Sequence, residues 1–329
     1  MFRYCTGLTS FITHAPAAIE VDASAYMSMF TGDTALTTFT ATGATTVGCY
    51  YASGAFMSAF QGCSSLASLN FFNGALMADC AYNTFNATFE SCAALTAVPS
   101  WTIEVDISKT CYFMFNGCTH ITSAKNLVIR GIMGAQVCQQ MFSFCSNLVE
   151  GADIQATEVV DNASGVYSGM YYFCYALQKV LVSENTCYFP AGTTATSSNV
   201  TNGMFRDCTA LEDLIPLTAT APNASAYTQM YYGCTQFSFS TTPSEGAIVY
   251  RIPTEGTLTT SPNLTNMFYG ATGLVNGTPE VETTYYVTIL AETRSPSDFA
   301  PLKNGKDEND GKEEEVSGLV TEHKPKEER

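Results

Sequence analysis

The 13 cysteines of this sequence are the residues that could perform the widest range of chemistry. Thiolates bind zinc, form disulfides and act as nucleophiles. No two cysteines stand in a C-x-x-C pair, the spacing that zinc sites usually need. Eight of them recur at one position of a repeated pattern. We therefore predict an internal column of buried thiols. The sequence does not decide whether one or two disulfides join neighbouring repeats.

Other catalytic groups are sparse. The sequence has only 3 histidines, and His120, two residues after Cys118, would need a buried thiol to turn outward before a catalytic pair could form. Glu104 and Asp106 alternate with apolar residues, which favours the solvent-exposed face of a strand over a pair of catalytic carboxylates. We predict no catalytic residue, no metal site, no cofactor and no enzymatic activity.

Charge is scarce and unevenly distributed. The chain has 14 Lys+Arg against 30 Asp+Glu, a formal charge of −16, which argues against a nucleic-acid partner. Residues 303–329 hold 6 basic and 9 acidic residues, so we predict a disordered, solvated tail there. No apolar run approaches the roughly 18 residues that a membrane span requires.

A ten-fold repeat organises the rest of the chain. Each copy has an aromatic residue, which Met usually precedes, and Leu, Ile or Phe six positions after the aromatic, and eight copies have Cys three positions after it. The two exceptions carry Asp33 and Ala271 at the cysteine position. The aromatic positions are 2, 30, 60, 89, 115, 142, 171, 205, 231 and 268.

Two periodicities follow each other within a repeat. With the aromatic as position zero, apolar residues recur at −4, −1, 0 and +3, as in Tyr167, Met170, Tyr171 and Cys174, which indicates one face of a short helix. Glycine often follows at +2, where such a helix would end. Positions +6 and +9 are usually apolar and +8 is usually polar, as in a short strand with one face inward.

These patterns predict an α/β repeat: a leucine-rich-repeat-like solenoid with one short helix and one short strand per repeat and a parallel strand ladder. Residues 1–278 form the ten-copy solenoid, which we expect to be N-terminally incomplete. Residues 279–302 form a C-terminal β cap after an inserted hairpin around residues 241–262. Residues 303–329 are the tail.

The M-F-x-x-C-x-x-L signature, clean at Met1, Met141 and Met204, resembles the BspA-type leucine-rich repeats of surface proteins, in the subgroup typified by Mycoplasma lipoproteins. The resemblance covers residues 1 to about 278. It implies a curved solenoid displayed at the cell surface or outside the cell, with a secretion signal upstream of this segment, and a role in adhesion or host contact.

Surface residues are then the remaining place for function. Side chains at +8 should line one face of the strand ladder, and its middle residues Glu150, Lys179 and Asp213 are charged in a body with few charges. We predict these three as a ligand-binding surface. Tyrosine-rich stretches such as Tyr50 and Tyr51 are an alternative contact for a glycan or a protein.

Three functions compete. The first is a non-enzymatic recognition or adhesion scaffold that binds a host extracellular protein or a glycan. The second is a phage or virion fibre component that binds a receptor. The third is a glycan hydrolase on a parallel β-helix, whose rungs would be strands throughout and contain no helix.

Overall fold

The computed structural model describes residues 2–50, 52–106, 108–190, 193, 199–212, 215 and 226–236, and it is a parallel β-solenoid. The strands are β1 (Ser10–His14), β2 (Ala18–Glu20), β3 (Thr38–Thr42), β4 (Thr46–Gly48), β5 (Ser68–Phe71), β6 (Leu76–Cys80), β7 (Thr102–Val105), β8 (Val128–Met133) and β9 (Asp153–Val159). The tenth repeat at residue 268, the inserted hairpin, the C-terminal cap and the tail lie outside the described residues.

Two parallel sheets run along the solenoid. One contains β1, β3 and β5, and the other contains β2, β4, β6, β7, β8 and β9 in that order. The first sheet begins at position +8, so the strand predicted in each early repeat is present, although it starts later than expected. The second sheet was not predicted from the sequence. Its strands alternate in burial, as in β7, where Ile103 and Val105 are buried and Glu104 is half-buried.

Consecutive turns occupy the place where the sequence predicts a helix. No α-helix forms among the described residues, so the predicted α/β, leucine-rich-repeat-like fold class is wrong. We call these segments the turn ladder. It comprises residues 24–33, 54–63, 83–92, 109–118, 136–145, 165–174, 199–208 and 226–234.

Backbone amides in the turn ladder alternate between two kinds of acceptor. The amides of Tyr26, Ser28 and Phe30 donate to carbonyls of the next rung at 2.7–2.9 Å. The amides between them donate three residues back, as Met27 does to Ser24. An α-helix would send each amide four residues back within its own segment. Every turn-ladder segment therefore depends on a neighbouring rung to satisfy its backbone.

Left-handed residues recur every four positions along the turn ladder. Ser24, Ser28 and Gly32 have φ of 59°, 54° and 74°, and later segments repeat the pattern. This period returns positions −4 and 0 to the same inward side. The apolar spacing was therefore interpreted as helical, because a helix also places residues four apart on one face.

Aromatic rings at position zero form one continuous stack through the interior. Successive ring centroids are 5.1–5.6 Å apart, and their planes lie within 13° of each other. The rings are those of Phe2, Phe30, Phe60, Phe89, Phe115, Phe142, Tyr171, Phe205 and Tyr231. Offset stacking adds about 0.5–1.5 kcal/mol per pair to the burial of the rings. The stack therefore ties each rung to the next.

The predicted thiol column is confirmed for seven of its eight cysteines, which share a bonding pattern, whereas Cys5 is only half-buried. Seven buried thiols at position +3 each donate to the carbonyl of the preceding rung's stacked aromatic, with Sγ–O distances of 3.0–3.2 Å. They belong to Cys63, Cys92, Cys118, Cys145, Cys174, Cys208 and Cys234. Burial raises the pKa of Cys63 and of Cys145 to about 12, so these thiols stay protonated and able to donate. All cysteines are free, so the disulfides left open by the sequence are not formed.

Asp33 replaces cysteine in this column and is the exception to its chemistry. The residue is fully buried. Its Oδ1 accepts a hydrogen bond from the Cys5 amide at 2.5 Å, whereas its Oδ2 has no hydrogen-bond partner. Burial raises the pKa of the Asp33 carboxyl, against the lowering effect of the hydrogen bond from the Cys5 amide. A buried carboxylate oxygen without a partner costs stability.

We predict that Asp33→Cys stabilises the protein by about 1–3 kcal/mol at pH 7. A carboxyl whose pKa is raised on folding contributes most below its unfolded pKa of about 3.9 and loses that contribution as pH rises through the folded value. The advantage of the variant should therefore grow from pH 4 to pH 8 in thermal unfolding. The exposed Asp22→Asn is the control. A pH-independent difference would contradict the assignment.

Candidate binding surfaces

The predicted charged row lies where the sequence placed it, in part. In the first sheet the +8 residues Ser10, Thr38 and Ser68 are direct cross-strand partners. Further along, Glu150 forms parallel bridges with the +8 residues on both sides, of which Lys179 is one. The structure therefore brings Glu150 and Lys179 together, while Asp213 lies outside the described residues.

Glu150 sits at the centre of a strip of alternating charge. Its carboxylate accepts a hydrogen bond from Ser123 Oγ at 2.9 Å and lies 3.1 Å from Lys125 Nζ. Hydrogen bonds from Ser123 and Lys125, followed by the Lys125 and Lys179 charges, lower the pKa of Glu150 despite some desolvation. The sequence did not identify Lys125, which lies 25 residues from Glu150. This strip can pair with a charged group of a partner, although an exposed ion pair contributes little to stability.

A second surface, on and next to the turn ladder, consists of outward-facing aromatic side chains and one arginine. We call it the aromatic patch. Its members are Phe144, Tyr172, Phe173, Tyr175, Arg206 and Tyr232. Phe173 lies at its centre, with ring centroids 4.1 Å from Tyr172, 5.2 Å from Phe144 and 5.8 Å from Tyr175. Phe144 and Tyr175 remain 46% and 49% exposed.

Backbone geometry makes two of these aromatics unfavourable for the fold. Phe144 and Phe173 both occupy position +2 and have φ of 64° and 59°. Other rungs place glycine there, as at Gly62 and Gly117. A left-handed conformation costs a bulky residue about 1–2 kcal/mol. At Phe144 this cost accompanies an exposed ring, so folding stability does not explain the residue.

Arg206 lies at one edge of the aromatic patch, beside the rings of Tyr172 and Tyr232. Its guanidinium carbon lies 5.4 Å from the Tyr172 ring centre and 4.6 Å from that of Tyr232. Nη1 donates to Gln229 Oε1 at 2.9 Å, and Nε lies 3.4 Å from a carboxylate oxygen of Asp207. That last contact is an ion pair without hydrogen-bond alignment, since Nε has no hydrogen-bond partner. The two charges offset each other, so the patch is close to neutral.

Sequence reasoning missed the aromatic patch. It considered Tyr50 and Tyr51 instead; Tyr50 is 60% exposed, and Tyr51 lies outside the described residues. One signal was available in the repeat alignment, because Phe144 and Phe173 stand where five of the other eight copies have glycine. Phenylalanine in place of glycine is not informative if position +2 merely ends a helix. It becomes informative once the structure shows that the residue at +2 has a left-handed backbone and an outward-facing side chain.

A third surface feature lies on the outer side of the six-stranded sheet. It is an open depression of about 430 Å³ whose lining includes Asp79, Glu104, Asp106, Arg130 and Gln155. Arg130 Nη2 donates to Glu104 Oε1 at 2.6 Å, so these two side chains form an ion pair. Their cross-strand pairing follows the register Glu104–Arg130–Gln155. The remaining carboxylates of the depression belong to Asp79 and Asp106.

The candidate catalytic pair Cys118 and His120 is not assembled, because each side chain has a partner in the backbone. The Cys118 thiol is buried and donates to Phe89, while His120 Nδ1 lies 2.6 Å from the Ala93 carbonyl oxygen, so the two do not pair. Within the described ranges, no three His, Cys, Asp or Glu side chains are grouped to hold a metal ion. The same residues contain no helix with the length and apolar character needed to cross a bilayer.

Comparison with known proteins adds no relative. No family model, no curated protein and no solved structure matches the chain. The similarity to BspA-type repeats is therefore still a prediction from the sequence pattern.

Proposed function

We propose that the protein is a non-enzymatic recognition scaffold at the cell surface or outside the cell. In this proposal the solenoid interior provides rigidity, and the aromatic patch together with the Lys125–Glu150–Lys179 strip contacts a macromolecular partner. The partner is an extracellular host protein or a glycan. Receptor binding by a virion fibre would use the same surfaces.

The cluster of outward-facing aromatic rings around Phe173, to which the exposed Phe144 belongs, carries this proposal. The left-handed backbone of Phe144 costs energy, and its half-exposed ring offsets that cost by less than a fully buried ring would. Left-handed residues recur along the whole turn ladder, so the distinguishing feature of position 144 is an exposed ring that contacts the rings of Tyr172 and Phe173. Its cluster with Phe173 and Tyr175 gives the rigid aromatic contact area that is enriched at interfaces.

The proposal is tested with the full chain immobilised on a biosensor surface. Purified extracellular-matrix proteins, mucin and neutral oligosaccharides are passed over it, and the same glycans are incubated with the protein in solution. We expect saturable binding of at least one of them with no new reducing ends. Tyr175→Ala should weaken that binding, whereas Tyr82→Ala, at an exposed tyrosine outside the patch, should not. Failure of all three classes to bind, or turnover of a glycan, would contradict the proposal.

A glycan hydrolase is the second candidate, because the depression beside β6–β9 holds Asp79, Glu104 and Asp106. Paired carboxylates cleave glycosidic bonds when one donates a proton and the other acts as base or nucleophile. Glu104 is already paired with Arg130, which leaves Asp79 and Asp106 for those roles. Release of reducing ends that is lost in both Asp79→Asn and Asp106→Asn would favour this candidate over the recognition scaffold.

A further inference from the structure

The chemistry of the aromatic patch defines one class of partner. We infer that Phe144, Phe173 and Tyr175 form a binding site for a neutral glycan, with Asp207 and Gln229 at its polar edge. This inference rests on the proposed recognition function and adds the chemical class of the ligand.

The faces of the rings match the faces of sugars. An aromatic ring carries negative charge on its face, and the C–H bonds of a pyranose ring present weakly positive hydrogens in a flat array. Phe144 and Tyr175 are each close to half exposed, and their ring centroids lie 5.2 Å and 5.8 Å from that of Phe173, with the planes tilted by 32° and 48°. The three rings therefore offer adjoining apolar contacts for the faces of sugar units.

Charge balance favours a neutral ligand over an anionic one. The charges of the patch region, Arg206 and Asp207, are paired with each other. Arg206 is also held by Gln229 and lies between the rings of Tyr172 and Tyr232. An anionic polymer needs uncompensated cations, and a carboxylate 3.4 Å from the guanidinium removes that attraction. Carboxylate and amide oxygens at the edge are suitable acceptors for sugar hydroxyls.

The unfavourable backbone at position +2 gives the site a distinctive mutational signature. Glycine at 144 or 173 removes the left-handed penalty and restores the residue found at Gly62 and Gly117. If the two rings were structural, their removal would lower stability. If they bind a glycan, the substitution separates stability from binding, as expected where function has been retained at a cost to the fold.

The test uses cellohexaose, mannohexaose and chitohexaose as neutral probes and a heparin-derived hexasaccharide as the anionic comparator, each titrated calorimetrically into the full chain. We expect at least one neutral hexasaccharide to bind. Tyr175→Ala should weaken it by up to about tenfold, which corresponds to the loss of one aromatic contact. Phe144→Gly should weaken it similarly while raising the melting temperature. Tyr82→Ala, at a 39% exposed tyrosine outside the patch, is the matched control and should leave the glycan affinity unchanged.

Three outcomes would overturn the inference: no neutral hexasaccharide binds, only the heparin fragment binds, or Tyr175→Ala leaves neutral-glycan affinity unchanged. A matrix protein that binds through Tyr175 in the absence of any glycan response would overturn the glycan assignment and leave the recognition function standing. No binding of either proteins or glycans would overturn both.

Discussion

Phe115→Ala should lower the free energy of unfolding by about 3–5 kcal/mol, the usual cost of truncating a buried phenylalanine. Phe115 is fully buried in the middle of the aromatic stack. Its ring centroid lies 5.1 Å from that of Phe89 and 5.3 Å from that of Phe142. Truncation therefore removes two stacking contacts and opens a cavity between rungs that the backbone hydrogen bonds hold at a fixed spacing.

Urea unfolding followed by tyrosine fluorescence measures this effect. The control is Phe144→Ala, which removes a ring of the same size from a surface position and should change stability by less than about 1 kcal/mol. Solenoid stability depends on contacts between neighbouring repeats, so a central rung is the sensitive place. Equal effects of the two substitutions would mean that the stack does not hold the rungs together.

Gly131→Ala should destabilise the protein by about 2–5 kcal/mol, because two costs combine. Gly131 lies within β8 with φ of 120°, a conformation that alanine rarely adopts. A methyl group there would also overlap the carbonyl oxygen of Val105 on β7. The register between β8 and β9 shifts at this point, so relaxation would disturb the pairing on both sides.

Gly74→Ala separates the two costs. Gly74 has φ of 84°, but an added methyl group would meet nothing within 4 Å. Only the conformational cost applies there, and we expect about 1–2 kcal/mol. Thermal unfolding of both variants provides the comparison. If Gly131→Ala were no worse than Gly74→Ala, the close approach of the β7 and β8 backbones would be contradicted.

Side-chain types predicted what lies inside, but not the backbone that places it there. The aromatic stack and the thiol column follow directly from residues that recur once per repeat, such as Phe60 and Cys63. The helix was wrong because apolar positions four residues apart fit both an α-helix and a ladder of turns. What separates the two is the acceptor of each amide, and half of those acceptors belong to another rung.

The second sheet and the binding surfaces needed three-dimensional information. A strand of three residues such as β4 is too short to show alternation in the sequence. Neighbours on the surface are a whole rung apart in the chain, as with Lys125 and Glu150 or Phe144 and Phe173. Only the +8 row could be anticipated, since it occupies the same repeat position in each copy. Phe173 and Tyr175 could not be recognised as one cluster with Phe144 before the rungs were stacked.

The turn ladder is tested most directly by detecting one hydrogen bond between rungs. The Phe89 amide donates to the Met114 carbonyl at 2.8 Å, whereas an α-helix would pair it with Phe85. In protein labelled with ¹⁵N-phenylalanine and ¹³C-carbonyl methionine, we expect a through-hydrogen-bond NMR correlation between Phe89 and Met114. The one-bond correlation between Met114 and Phe115 is the internal control. Its presence without the Phe89 correlation would contradict the parallel turn ladder on which the proposed surfaces depend.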